Sequence, residues 1–181
     1  MSFNHFLDKE GRPMTDLMMR EATLQDYDAY YKIKCDPKNV EWSGFSTPPD
    51  YEKMKGRFET FFQDDEQGLL LFEFGGEVIG YVNFFLTEDG EGIETSHGAL
   101  SDNAVKSLGY KMLKMTIHFV ENSDRFNSVN TIIGWVAESN FASLQNVIKN
   151  GYQPTGKTEN RELFLGCIKF IQYKKEIGNN E

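Results

Sequence analysis

The sequence predicts an α/β domain: a mostly antiparallel sheet with one parallel pair of strands around a helix, flanked by about four helices. Three observations carry this expectation. Strand-like runs at residues 68–74, 77–86 and 93–100 follow one another with only short connections, which makes an antiparallel meander. The apolar period then becomes helical over residues 110–121, where Leu113, Ile117 and Val120 recur with Met112, Met115 and Phe119 beside them. Residues 131–137 read as a strand after that helix, and a strand–helix–strand unit in one sheet forces a parallel crossover.

Taken in order, residues 1–16 are polar and broken by Gly11 and Pro13, so they read as an extension ahead of a domain over 17–174 and a tail over 175–181. Leu17, Met18 and Met19 lead through Arg20 into a first strand ending near Ala22. Thr23, with Asp26 three residues on, gives a capping-box start to a helix over 24–35 whose face carries Tyr27, Tyr30, Tyr31 and Lys34. Residues 36–46 read as a loop. Thr47 is expected to cap a second helix, with proline in its first turn and Asp50 at its third position; it runs to about 63 on a stripe of Met54, Phe58, Phe61 and Phe62. Gly75 and Gly76 form a two-residue turn between the first two meander strands. The acidic loop 87–92 precedes the third. A last helix over 140–150 turns Leu144, Val147 and Ile148 inward, with Gly151 where a left-handed residue belongs. One or two strands follow, 164–173 being the clearest. No repeat, low-complexity segment or interdomain linker is readable.

The 181 residues suit one domain with a sizeable core. The chain has 28 acidic against 19 basic residues, a net charge of −9, and no basic run, so nucleic acid is not an expected partner. The acidity is read chiefly as a solubility feature, though it would also steer a cationic acceptor. Cys35 and Cys167 lie far apart outside any metal-like spacing and read as buried structural thiols of a reducing cytoplasm. The three histidines, His5, His97 and His118, are scattered, so no metal is expected. The opening residues lack the apolar run of a signal peptide, and no stretch is long enough to span a membrane. No serine stands in a nucleophile-elbow pattern. Oligomeric state is left open.

Two segments carry chemistry. In residues 94–113 a strand ends, a loop turns, and Gly109 opens a helix; the free amides and positive dipole end of such a helix bind phosphate. In residues 131–153 a strand ends in Glu-Ser-Asn and a short helix runs into Gly151 and Tyr152. In this order and spacing the two segments resemble the GNAT superfamily of N-acetyltransferases over about residues 17–174, leaning towards its ribosomal-protein N-terminal acetyltransferase branch.

The resemblance implies acetyl-CoA as co-substrate and direct attack by a primary amine of a small molecule or peptide. The family's pyrophosphate loop, Gln/Arg-x-x-Gly-x-Gly/Ala, matches Lys106, Ser107, Leu108, Gly109, Tyr110 and Lys111. Two positions depart from it: Lys106 replaces Gln/Arg, and Lys111 replaces the small final residue. The later motif matches Asn140, Ser143 and the Gly151–Tyr152 pair, while Val147 stands where many members carry a tyrosine that protonates the leaving thiolate. Gly98 and Leu100 are expected to offer backbone groups to the pantetheine and the oxyanion. Glu94 holds the position of a general base in some members, with His97 as its rival, and both read equally as polar residues of a half-exposed strand. The segment 42–51 is expected to line the acceptor side. Lys111 and Val147 also leave open a non-catalytic module that keeps the fold and binds CoA or another protein.

Overall fold

A computed structural model describes residues 17–178 apart from 64 and 165; the N-terminal extension and His5 lie outside the described residues. The chain alternates β1 (Leu17–Glu21), α1 (Tyr27–Lys34), α2 (Pro37–Trp42), α3 (Tyr51–Thr60), β2 (Gln67–Phe74), β3 (Glu77–Leu86), β4 (Gly92–Ala99), α4 (Leu108–Glu121), β5 (Thr131–Ala137), α5 (Phe141–Lys149), β6 (Gln153–Leu163) and β7 (Gly166–Glu176). The strands form one sheet in the order β1-β2-β3-β4-β5-β7-β6. All neighbours pair antiparallel except β4 and β5, which run parallel around α4 as the crossover requires.

The two faces follow from alternation along the strands. A Cβ on Gly80 would stand 2.6 Å from Met112 Sδ of α4, so Gly80, Val82 and Phe84 face α4. Their partners Ala99, His97 and Thr95 share that face. The intervening Tyr81 packs edge-on against Tyr30 of α1, and its partner Gly98, with Ser96 and Glu94, faces α1 and α3. One core cluster, with Phe72, Phe84, Ile93, Met112, Leu113 and Ile132, lies under α4; a second, with Tyr27, Tyr30, Ile33, Phe58 and Tyr81, lies under α1 and α3.

Several local expectations change. The helix expected over 24–35 opens as a 3-10 turn, Leu24–Asp26, because the Asp26 carboxylate takes both the Thr23 N–H and its hydroxyl, and the Arg20 guanidinium clamps it at 2.6 and 2.8 Å. The loop expected at 36–46 contains α2, with Asp36 capping the Lys38 amide and Pro37 in the first turn. Asp50, not Thr47, caps α3 through the Lys53 amide, since a proline disfavours helical backbone in the residue before it. Phe62 and Ile148 are exposed at 38% and 55% rather than inward. Both cysteines are free, but Cys35 is only partly buried and Cys167 is exposed, so neither is a core thiol. The C-terminal region is a hairpin of two long strands, and β7 continues through Glu176 into the segment read as a tail.

Candidate active site

Between β4 and β5 the ladder holds from Gly92↔Thr131 to Thr95↔Gly134 and then ends, although both strands continue. Beyond that point the strands part, and a cavity of about 810 Å³ opens between them. Its lining includes Thr95, Gly134 and Tyr152; burial suppresses the acidity of the Tyr152 hydroxyl, an effect that the nearby Thr95 opposes. Such a volume is at the upper end of small-molecule sites.

Which backbone groups face the gap follows from the β3–β4 register. Leu100 N–H donates to Ile79 O at 2.9 Å, so Leu100 is turned towards β3. Alternation turns Gly98 the same way and leaves Ala99 and His97 facing the gap. The expectation for Gly98 and Leu100 is corrected accordingly: both line the cavity, but their amides are turned to the neighbouring strand. The Ala99 carbonyl accepts from Asn39 Nδ2 of α2 at 2.9 Å. Asp36, buried ahead of α2, accepts from Ser101 N–H and hydroxyl at 2.8 and 2.9 Å. The end of β4 is thus tied to a helix where a loop was expected.

At one end of the cavity stands the N-terminus of α4. Its ladder begins with Lys111 N–H donating to Ser107 O at 3.1 Å, so the amides of Leu108, Gly109 and Tyr110 precede the first intrahelical bond. The first turns of α2, α3 and α5 are capped by Asp36, Asp50 and Asn140, whereas α4 has neither a side-chain cap nor an acidic residue in its first turn. An uncapped 14-residue helix opening on a cavity fits an anionic group such as a pyrophosphate. Of the expected loop, Ser107, Leu108 and Gly109 line the cavity, while Lys106, Tyr110 and Lys111 do not. Lys111 therefore lies outside the wall. Asn140 and Ser143 line the cavity, and Asn140 Oδ1 caps the Ser143 amide at 3.1 Å. Val147 is buried in the wall, without an acid at that position.

His97 lines the cavity from the α4 face, and desolvation lowers its imidazole to about 4, so it is neutral at physiological pH. Glu94 lies on the opposite face, outside the wall; its carboxylate accepts from the indole N–H of Trp135 at 3.2 Å, and Trp135 is a wall residue. Of the segment 42–51, Trp42, Ser43 and Phe45 line the cavity. Sequence reasoning missed Lys34, Arg57, Tyr81 and Arg161, brought to the same wall from α1, α3, β3 and β6. Only the approach of distant elements makes them neighbours, so no local spacing marks them. Among the described residues, no group of His, Cys, Asp and Glu could hold a metal, and no helix is long and apolar enough to cross a membrane.

Comparison with known proteins agrees with this geometry. RimL, a ribosomal L7/L12 α-N-protein acetyltransferase in complex with coenzyme A, superposes with a TM-score of 0.75 at 13% identity, covering 92% of this chain and 97% of its own. A ribosomal-protein-alanine N-acetyltransferase from Brucella melitensis gives 0.71 at 20% identity, covering 88% and 99%. A phosphinothricin acetyltransferase from Sinorhizobium meliloti in complex with acetyl-CoA gives 0.71 at 17% identity, covering 91% and 90%. At these identities the likeness establishes the fold. A comparison with curated protein sequences finds no match. A family model described as an acetyltransferase (GNAT) domain matches residues 16–153, well over half of the chain. The resemblance carried by the Gly109 loop and the Asn140 helix is borne out: the chain belongs to the GNAT acetyltransferase family and is an acetyl-CoA-dependent N-acetyltransferase.

Proposed function

We propose that this site transfers acetyl by direct attack of a neutral primary amine, with the thioester held in the gap between β4 and β5 and the amine entering from the side of α1, α2 and α3. The observation that carries this reading is the β4–β5 ladder ending at Thr95↔Gly134, beside the uncapped start of α4. The amides of Leu108 and Gly109, at the free start of α4 on the cavity wall, hold the pyrophosphate. The gap-facing Ala99 N–H donates to the carbonyl oxygen as it gains negative charge, a contact that strengthens in the transition state. The amine nitrogen bonds to the carbonyl carbon and sheds one of its protons to solvent, the C–S bond breaks, and the thiolate leaves to be protonated by solvent.

The amine must first lose a proton, because a free lysine-type amine has a pKa near ~10.4. His97, held neutral and on the α4 face, is poorly suited to receive it. Glu94 shares the acceptor face but sits four residues before Gly98, about 13 Å along the strand at ~3.3 Å per residue, so it acts through water rather than by direct contact. The free thiols of Cys35 and Cys167 suit a reducing compartment, and we assign the enzyme to the cytoplasm. Release of CoA thiol from acetyl-CoA across a panel of primary amines tests the reading. Turnover with at least one amine is expected; binding of acetyl-CoA without turnover of any amine would overturn it in favour of a non-catalytic CoA-binding module.

A further inference from the structure

The chain carries a net charge of −9, yet the cavity wall contains Lys34, Lys38, Arg57 and Arg161 and, among the described residues, no Asp or Glu. A wall drawn at random from 28 acidic and 19 basic residues would lean acidic. We infer that the acceptor side selects amines that also carry an anionic group, of the α-amino acid class, over polyamines and other polycations. This rests on the reading of the cavity as an acetyl-transfer site.

The cations belong to the acceptor side rather than to the CoA phosphates. They come from α1, α2, α3 and β6, and none comes from α4, α5 or the loop that leads into α4. Lys34 Nζ lies 3.2 Å from the Tyr81 hydroxyl. The Tyr81 ring in turn fills the space beside Gly98, where a Cβ would stand 2.7 Å from it. Lys34 therefore holds its charge on the α1 face next to the strand that flanks the reacting carbonyl. Among the described residues, neither Lys34 nor Arg57 has a carboxylate partner, while Lys38 and Arg161 pair with Glu41 and Glu159. A cation in a cavity without a counter-ion favours an anionic ligand, and an arginine fork suits a carboxylate.

The rest of the wall defines what accompanies the anion. Arg161 lies over the Phe170 ring at 4.4 Å and over Trp135 at 5.6 Å, and Trp42 and Phe45 also line the cavity. Trp42 and Phe45 give the same wall apolar area for the rest of the amino acid. A polyamine or aminoglycoside would instead bring several positive charges against the half-buried Lys34 and the exposed Arg57, and the like-charge repulsion is least screened at Lys34.

The test compares L-methionine, L-phenylalanine and L-glutamate with their α-amides, beside spermidine and an uncharged peptide amide, by CoA thiol release from the full chain. Each pair differs only in the α-carboxylate, and the lower basicity of the amide amine favours the amide. A preference for the free acid of tenfold or more in kcat/KM, reduced about tenfold by Arg57→Gln or Lys34→Gln mainly through KM for the acid, is the expected result. Equal or better turnover of the amides, or turnover confined to spermidine or the peptide amide, overturns the inference and leaves acetyl transfer standing. No turnover of any amine, with an acetyl-CoA-induced thermal shift still present, removes both.

Discussion

The side-chain amide of Asn146 on α5 occupies the space that a Cβ on Gly109 of α4 would fill. The glycine therefore serves helix–helix contact at the cavity edge, in addition to the proposed backbone approach to phosphate. Gly109→Asp would consequently mix a steric effect with a charge effect. Gly109→Ala isolates the first: it should lower both the melting temperature and the acetyl-CoA-induced thermal shift. Asn146→Ala in the same chain should restore part of the loss, with a coupling of about 0.5–3 kcal/mol in a double-mutant cycle. Strict additivity would show that the two residues do not compete for this space.

The entrance to α4 carries the only non-glycine residue with positive φ among the described residues, Ser107 at φ 56° and ψ 38°. A left-handed serine costs roughly 1–2 kcal/mol, which glycine would relieve, less about 0.5–1 kcal/mol for the added freedom of the unfolded chain. Ser107→Gly should therefore raise stability by up to about 1 kcal/mol. Saturating acetyl-CoA at about 100 times its dissociation constant should stabilise the wild-type fold by ~2.7 kcal/mol. On the proposed binding through backbone amides, Ser107→Gly should keep that increment. Its loss would assign the serine hydroxyl, rather than the backbone, to the ligand.

The elements that sequence made legible are those whose burial is periodic. The apolar spacing of Leu113, Ile117 and Val120 announces α4, and Gly75 with Gly76 announces the β2–β3 turn. β6 was allowed for but given no bounds, because it is an edge strand, exposed along most of its length and without a buried alternation to read. α2 escaped because it buries no residue of its own; its signal was Asp36 followed by Pro37, a cap and a first-turn proline. At the site, the Gly109 and Asn140 segments were readable as motifs. The direction of the Ala99 amide and the convergence of Lys34, Arg57 and Arg161 depend on register and on contacts between distant elements, which no local pattern encodes.

Arg20 bridges Asp26 and Glu73, fastening the turn after β1 to the sheet. The Arg20 hydrogen bonds, helped by those from Thr23, bring the Asp26 carboxyl down to about 2. A depressed carboxyl contributes stability that is present above its unfolded value near ~3.9 and is lost as pH falls through the folded value. Acid unfolding of the wild type should therefore steepen between about pH 4 and pH 2. Asp26→Asn keeps a capping side chain but removes the titration, so its stability should fall less over that window. An unchanged pH slope in Asp26→Asn would show that other carboxylates govern acid unfolding.

The assignment of Glu94 and His97 rests on which face of β4 each occupies. Glu94 stands on the face of α1 and α3, its carboxylate fixed by the Trp135 indole, and Trp135 reaches the cavity wall. His97 faces α4 and titrates near 4, so it changes charge far below the pH at which amines become neutral. Loss of a general base typically costs 10²–10⁴ in rate, and a base working through water should fall near the lower figure. Glu94→Gln should thus slow acetyl transfer by about 10² at pH 7, leave the acetyl-CoA thermal shift intact, and recover as pH rises and free amine accumulates. His97→Asn should leave the shape of the pH–rate profile unchanged, and the wild-type profile should show no inflection near ~6.5, the ordinary imidazole value. An inflection there that His97→Asn abolishes would move the base to His97. Full activity of both variants would leave the enzyme selecting the minor neutral amine, with positioning in the β4–β5 gap supplying the rate.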